Sequence, residues 1–172
     1  MFTVIVCSTI TYSQTYTWEP LGSGTSNGNG TNGYVYAITS YNGKIIYGGS
    51  FTQAGGVNAQ NIASYDPATN SWSAISTGIN GEVKSLTVRG SELIAGGDFN
   101  QAGITAVNNI ARWNGSNWLA MGSGISGEVL ALTIYSGDLI AGGNFTNAGG
   151  NNANNIAKWN GSTWSALGSG LT

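Results

Sequence analysis

The chain has 172 residues, enough for one sizeable core, and carries a net charge of −2 with only 7% charged residues. Its 28 glycines and 18 aromatic residues (6 Trp, 8 Tyr and 4 Phe), set against 2 prolines, describe a folded, turn-rich chain whose polarity comes from Asn, Ser and Thr. The cations Lys44, Lys84, Arg89, Arg112 and Lys158 are scattered and give no basic footprint for nucleic acid; a lone Cys7 excludes an internal disulfide; and the absence of histidine removes Ser-His-Asp and Cys-His catalysis.

Residues 1–14, MFTVIVCSTITYSQ, are apolar and uncharged. They read either as the hydrophobic part of a secretory signal, without its usual positive start, or as a β-branched strand. No apolar run approaches the roughly 20 residues of a membrane-spanning helix. Residues 15–24 match the ends of later units: YTWEPLGSG against NWLAMGSG and TWSALGSG. They read as an orphan outer strand. Residues 25–33 form a Gly- and Asn-rich loop insert.

Three repeats follow, over residues 34–80, 81–126 and 127–172, with first strands starting at Val35, Val83 and Val129. The spacing is 48 and then 46 residues, and the difference lies in one turn, YDPATNSW against WNGSNW. Each unit reads as four short strands. In the second, residues 83–88 alternate apolar with polar, residues 93–95 run apolar into Gly96-Gly97, a glycine-rich loop leads to NIARW, and a turn at Asn114-Gly115 leads to Trp118. Four strands in 46 residues without helical periodicity predict an all-β fold: a β-propeller-like array of four-stranded antiparallel blades, three full blades plus the N-terminal outer strand. A two-residue loop at Asn114-Gly115 pairs Ala111 with Trp118 and sets Trp113 diagonal to it, whereas a four-residue loop pairs Trp113 with Trp118. Both registers put the two indoles on one face, which we expect to be buried between blades.

The repeated landmarks resemble the Kelch repeat, of the galactose-oxidase-like propeller superfamily. They are Gly48, Gly49, Tyr65 and Trp72 in the first unit, Gly96, Gly97, Trp113 and Trp118 in the second, and Gly142, Gly143, Trp159 and Trp164 in the third. The resemblance covers about residues 34–170. It implies a propeller, and the loop forms GGSFTQAG, GGDFNQAG and GGNFTNAG look like the variant in long secreted bacterial surface proteins. That implies a secreted or cell-surface location and a chain that is part of something longer. The copper oxidase of that superfamily needs histidines, so the resemblance implies no oxidase here.

Residues identical in all three units are expected to serve the blade. Phe51, Phe99 and Phe145 are core or loop anchors, and Asn61, Asn109 and Asn155 cap backbone at a strand start. The double glycines lack a GxxxxGK[ST] context, so close strand packing accounts for them better than phosphate binding. Carboxylates are sparse: Glu19, Asp66, Glu82, Glu92, Asp98, Glu128 and Asp138. They form no DxDxDG-type calcium run, and no metal or cofactor is expected. Binding candidates are the loop positions that differ between units, Asn58, Thr105, Asn151 and Asn152. The expected function is a non-catalytic module for protein or glycan binding and adhesion. The alternatives are a carbohydrate-active hydrolase or lyase with catalytic residues largely outside this fragment, and a structural spacer or self-assembling array joined through unpaired terminal blades.

Overall fold

The structure, a computed structural model, describes residues 30–171. The expected signal segment, the orphan strand and all but the end of the loop insert lie outside these residues, as do Cys7 and Glu19. The first sheet is ordered β1 (Tyr34–Tyr41), β2 (Lys44–Ser50), β5 (Ile62–Asp66), β6 (Ser71–Ala74). Between β2 and β5 lies a small ladder of β3 (Gln53–Ala54) and β4 (Val57–Asn58). The second sheet repeats this with β7 (Glu82–Arg89), β8 (Glu92–Asp98), β11 (Ile110–Trp113) and β12 (Trp118–Ala120), and its ladder is β9 (Gln101–Ala102) with β10 (Thr105–Ala106). The third has β13 (Ile125–Tyr135), β14 (Asp138–Ala148), β16 (Ile156–Trp159) and β17 (Trp164–Ala166), with β15 (Asn151–Asn152) on β14. All strand pairs are antiparallel. Successive sheets meet through their inner strands, β1 against β7 and β7 against β13, and the described array does not close.

Two details differ from the sequence expectations. The glycine-rich loops carry two-residue ladders, and in the third unit β13 and β14 run on into the loop as eleven-residue strands. The same pairing exists in the other units only as isolated bridges, Thr31 with Ala54 and Ile79 with Ala102. There the side chains of Asn32 and Asn80 interpose, each Oδ1 accepting from two successive backbone amides, whereas the shorter Ser126 hydroxyl accepts from Asn147 N alone.

The double glycines have a steric reason. A Cβ on Gly48 would fall 2.5 Å from Val83 Cγ1, and one on Gly96 would fall 2.5 Å from Val129 Cγ1. Each inner-strand valine therefore seats in the space that the preceding sheet's first glycine leaves empty, and Val83 and Val129 are fully buried. The second glycine answers a bulge. β1, β7 and β13 shift register between Val35 and Ala37, Val83 and Ser85, and Val129 and Ala131. A Cβ on Gly49, Gly97 or Gly143 would then meet the carbonyl oxygen of Tyr34, Glu82 or Glu128 at 1.9, 1.9 and 2.0 Å.

Two continuous cores fill the gaps between sheets. One joins Ile46, Ile62 and Ile75 of the first sheet to Val83, Leu93 and Trp118 of the second; the other joins Ile94, Ile110 and Met121 to Val129, Trp159 and Trp164. The tryptophans thus face the preceding sheet, as expected. Their turn takes the four-residue register: Trp113 pairs with Trp118, Trp159 with Trp164, and Tyr65 with Trp72. Ring centroids in these pairs lie 5.5, 5.3 and 5.2 Å apart and tilted.

Candidate functional site

The repeated polar residues are absorbed by the fold. Asn61, Asn109 and Asn155 all adopt positive φ (60°, 60° and 63°), a conformation Asn tolerates better than most residues. Each Oδ1 accepts from the amide of Phe51, Phe99 or Phe145 at 3.1, 3.0 and 3.3 Å. Each Nδ2 donates to a carbonyl in the connection that leaves the unit, that of Ile79, Ile125 or Leu171, at 2.8, 2.9 and 3.1 Å. At Asn61 and Asn109 the expected strand cap is therefore also a clamp on the chain entering the next sheet. Phe51, Phe99 and Phe145 are buried beside it.

The four loop candidates lie one or two to a blade, on the small ladders. Each of those strands packs against the outer strand of its own sheet: β4 on β6, β10 on β12, β15 on β17. Asn58 Oδ1 accepts from Gln53 Nε2 at 3.2 Å, Thr105 Oγ1 donates to Trp118 O at 2.8 Å, Asn152 Oδ1 accepts from Asn147 Nδ2 at 3.2 Å, and Asn151 pairs with Ala148. Each is thus engaged within its own unit.

Five of the six described carboxylates are engaged in ion pairs. Asp66 pairs with Lys44 at 3.7 Å, Asp138 with Lys158 at 3.1 Å, and Glu92 with Arg112. Glu82 and Glu128 converge on the Lys84 ammonium at 3.3 and 2.7 Å. The bulge in β7 re-aims Lys84 so that it bridges the second and third sheets. The bond to Glu128 is the main cause that holds the Lys84 pKa above its ordinary value, with partial burial opposing it. A glycosidic bond would have to lie between two such carboxyls, and the ammonium occupies that space. Among the described residues no group of three or more His, Cys, Asp or Glu is placed to hold a metal.

What the structure adds is a groove of about 250 Å³ at the seam between the first and second sheets. Tyr41, Lys44, Ser64 and Ser73 line it from one side and Trp113 from the other. Its room comes from two serines, which stand at the repeat positions that carry Arg112 and Leu119 in the second unit. The walls are fixed. Tyr41 Oη donates to Ser91 O at 2.9 Å, Ser64 Oγ donates to Ser73 O at 3.3 Å, and the half-buried Trp113 indole is braced by Trp118. A braced aromatic ring beside hydroxyls and an ammonium suits a hydroxyl-bearing ring that stacks through its apolar face. The sequence reading missed this site because it searched the loops; the signal was a pair of small residues where the neighbouring unit has large ones.

The first blade differs in one further way. Tyr47 stands where the other units carry Ala95 and Ala141, and it packs on Trp72 with centroids 4.8 Å apart. Burial, and then the neighbouring Tyr65, pushes its phenol pKa up.

Comparison with known proteins agrees with this architecture. The computationally designed Ika4 protein is similar in structure, with a TM-score of 0.60 at 15% identity over 90% of this chain and 82% of that one. The designed Ika8 protein matches at a TM-score of 0.34 and 13% identity, over 82% of this chain and 49% of that one. At 15% identity the likeness to Ika4 speaks to fold alone. No curated protein matches the sequence. The model of the Rax2 C-terminal beta propeller domain matches residues 19–170, nearly the whole repeat region, and the chain belongs to that β-propeller family.

Proposed function

We propose that the chain is a non-catalytic, Kelch-like propeller module of a secreted or cell-surface protein, and that it binds a glycan, free or on a protein, in the groove beside Trp113. The observation that carries this reading is the groove itself: a fixed indole facing two serine hydroxyls and Lys44, at the one described seam where small residues replace Arg and Leu. Catalysis is disfavoured by the same chemistry, since Lys84 separates the two carboxylates that converge and Lys44 engages Asp66 at the rim.

A glycan array probed with the chain and with Ser73→Leu tests the proposal. Leucine already occupies the corresponding place in the second unit, so the variant is expected to fold with an unchanged unfolding midpoint while losing about tenfold or more of its glycan affinity. Absence of glycan binding, or binding indifferent to Ser73→Leu, would contradict it. Hydrolysis of a bound glycan that stops when Glu82 or Glu128 is replaced by Gln would favour the hydrolase alternative instead.

A further inference from the structure

We propose that the two terminal sheet faces of the described array are the halves of a single interface, and that a second copy of this chain docks its first sheet on the third, head to tail. Such docking continues a junction that the chain already makes twice. Val83 enters the space at Gly48 and Val129 enters the space at Gly96. The next glycine in the series is Gly142, where an added Cβ would have nothing nearer than 3.9 Å. The valine without a glycine to enter is Val35, 38% exposed where Val83 and Val129 are fully buried.

The rest of each face repeats the pattern. Ile62 and Ile110 are fully buried at the two internal junctions, and their equivalent Ile156 is half-buried. Ile75 and Met121 are buried; their equivalent Leu167 is 41% exposed. On the opposite face, Leu86 and Leu132 pack into the internal cores while Ile38 stands exposed.

The rim and the charges also fit. Tyr41 Oη donates to Ser91 O and Arg89 Nε donates to Gly137 O, so each first strand ends in a donor that reaches the following sheet's hairpin turn. Tyr135 is the third such donor and is 73% exposed. The acceptor in its series is the Gly43 carbonyl, which only a following first sheet presents. Where Lys84 meets Glu128 internally, the new junction would bring Leu130 to Tyr34, both exposed, so apolar surface meets apolar surface and no charge is buried unpaired. A copy of this chain carries all of these matching groups at once. Two copies of the three described sheets make six blades, inside the roughly four to eight at which propellers close.

Sedimentation velocity of the full chain from about 1 to 100 µM tests this. A concentration-dependent dimer of the 17.6 kDa chain is expected. Gly142→Val has open space in its own chain, so the variant is expected to fold normally, yet to weaken dimerisation about tenfold or more by occupying the seat of the partner's Val35. A monomer throughout that range, including one whose Val35 face is covered by its own residues 15–24, would overturn the proposal. So would a dimer that Gly142→Val leaves intact.

Discussion

Trp118→Ala is expected to destabilise the chain by about 3–5 kcal/mol, the range for deleting a buried aromatic side chain. Trp118 is 2% exposed and belongs to the core shared by the first two sheets, so its removal opens a cavity at a seam rather than within one sheet. Urea unfolding measures the effect. Two phenylalanine variants separate packing from hydrogen bonding. Trp118 Nε1 is buried without a hydrogen-bond partner among the described residues, whereas Trp164 Nε1 donates to Met121 O at 2.8 Å across the second seam. Trp118→Phe should therefore cost less than Trp164→Phe, which also strands a buried carbonyl at about 1–3 kcal/mol. The reverse order would show that the indoles are held differently from this description.

Asn109→Ala is the second large effect, expected at roughly 3 kcal/mol from two lost hydrogen bonds and the strain of a non-glycine residue at positive φ. Phe99 N loses its side-chain acceptor and Ile125 O its donor, while the main chain must still hold φ near 60° for Phe99 O and Gly97 N to keep their bonds to Asn109. Asn109→Gly removes the same side-chain bonds but relieves the backbone, so it should be milder than alanine by about 1 kcal/mol. Asn109→Asp keeps the acceptor for Phe99 N and turns an oxygen toward Ile125 O, which leaves that carbonyl unpaired. Denaturant midpoints for the three variants check the ranking, and alanine milder than glycine would contradict the clamp.

Much of this architecture was legible in the sequence because a repeat displays its own constraints. Gly48 and Gly96 recur because a valine of the next sheet seats against each, and Trp118 and Trp164 recur because each closes a seam. Alternation along residues 83–88 marked a strand, but it could not show the bulge that re-aims Lys84, since a bulge is a matter of register. Nor could spacing decide between the two hairpin registers; the four-residue loop is fixed by Asn114 Oδ1 accepting from Ser116 N and Asn117 N. The groove was hidden for a different reason. It is made by what Ser64 and Ser73 do not fill, and small residues carry no motif. Comparing units for what differs, rather than for what repeats, would have found it.

The groove and the tryptophan seams depend on one relation: the inner-strand valine of the second and of the third sheet seats in the first glycine of the sheet before it. A double-mutant cycle on Gly96 and Val129 tests that relation most directly. Gly96→Ala alone should cost about 1–3 kcal/mol by overpacking against Val129 Cγ1, 2.5 Å from the new Cβ. In a Val129→Ala background, which removes that methyl group, the same change should cost less by about 1 kcal/mol or more. Costs that simply add, to within about 0.5 kcal/mol, would mean that the second and third sheets do not pack in this way.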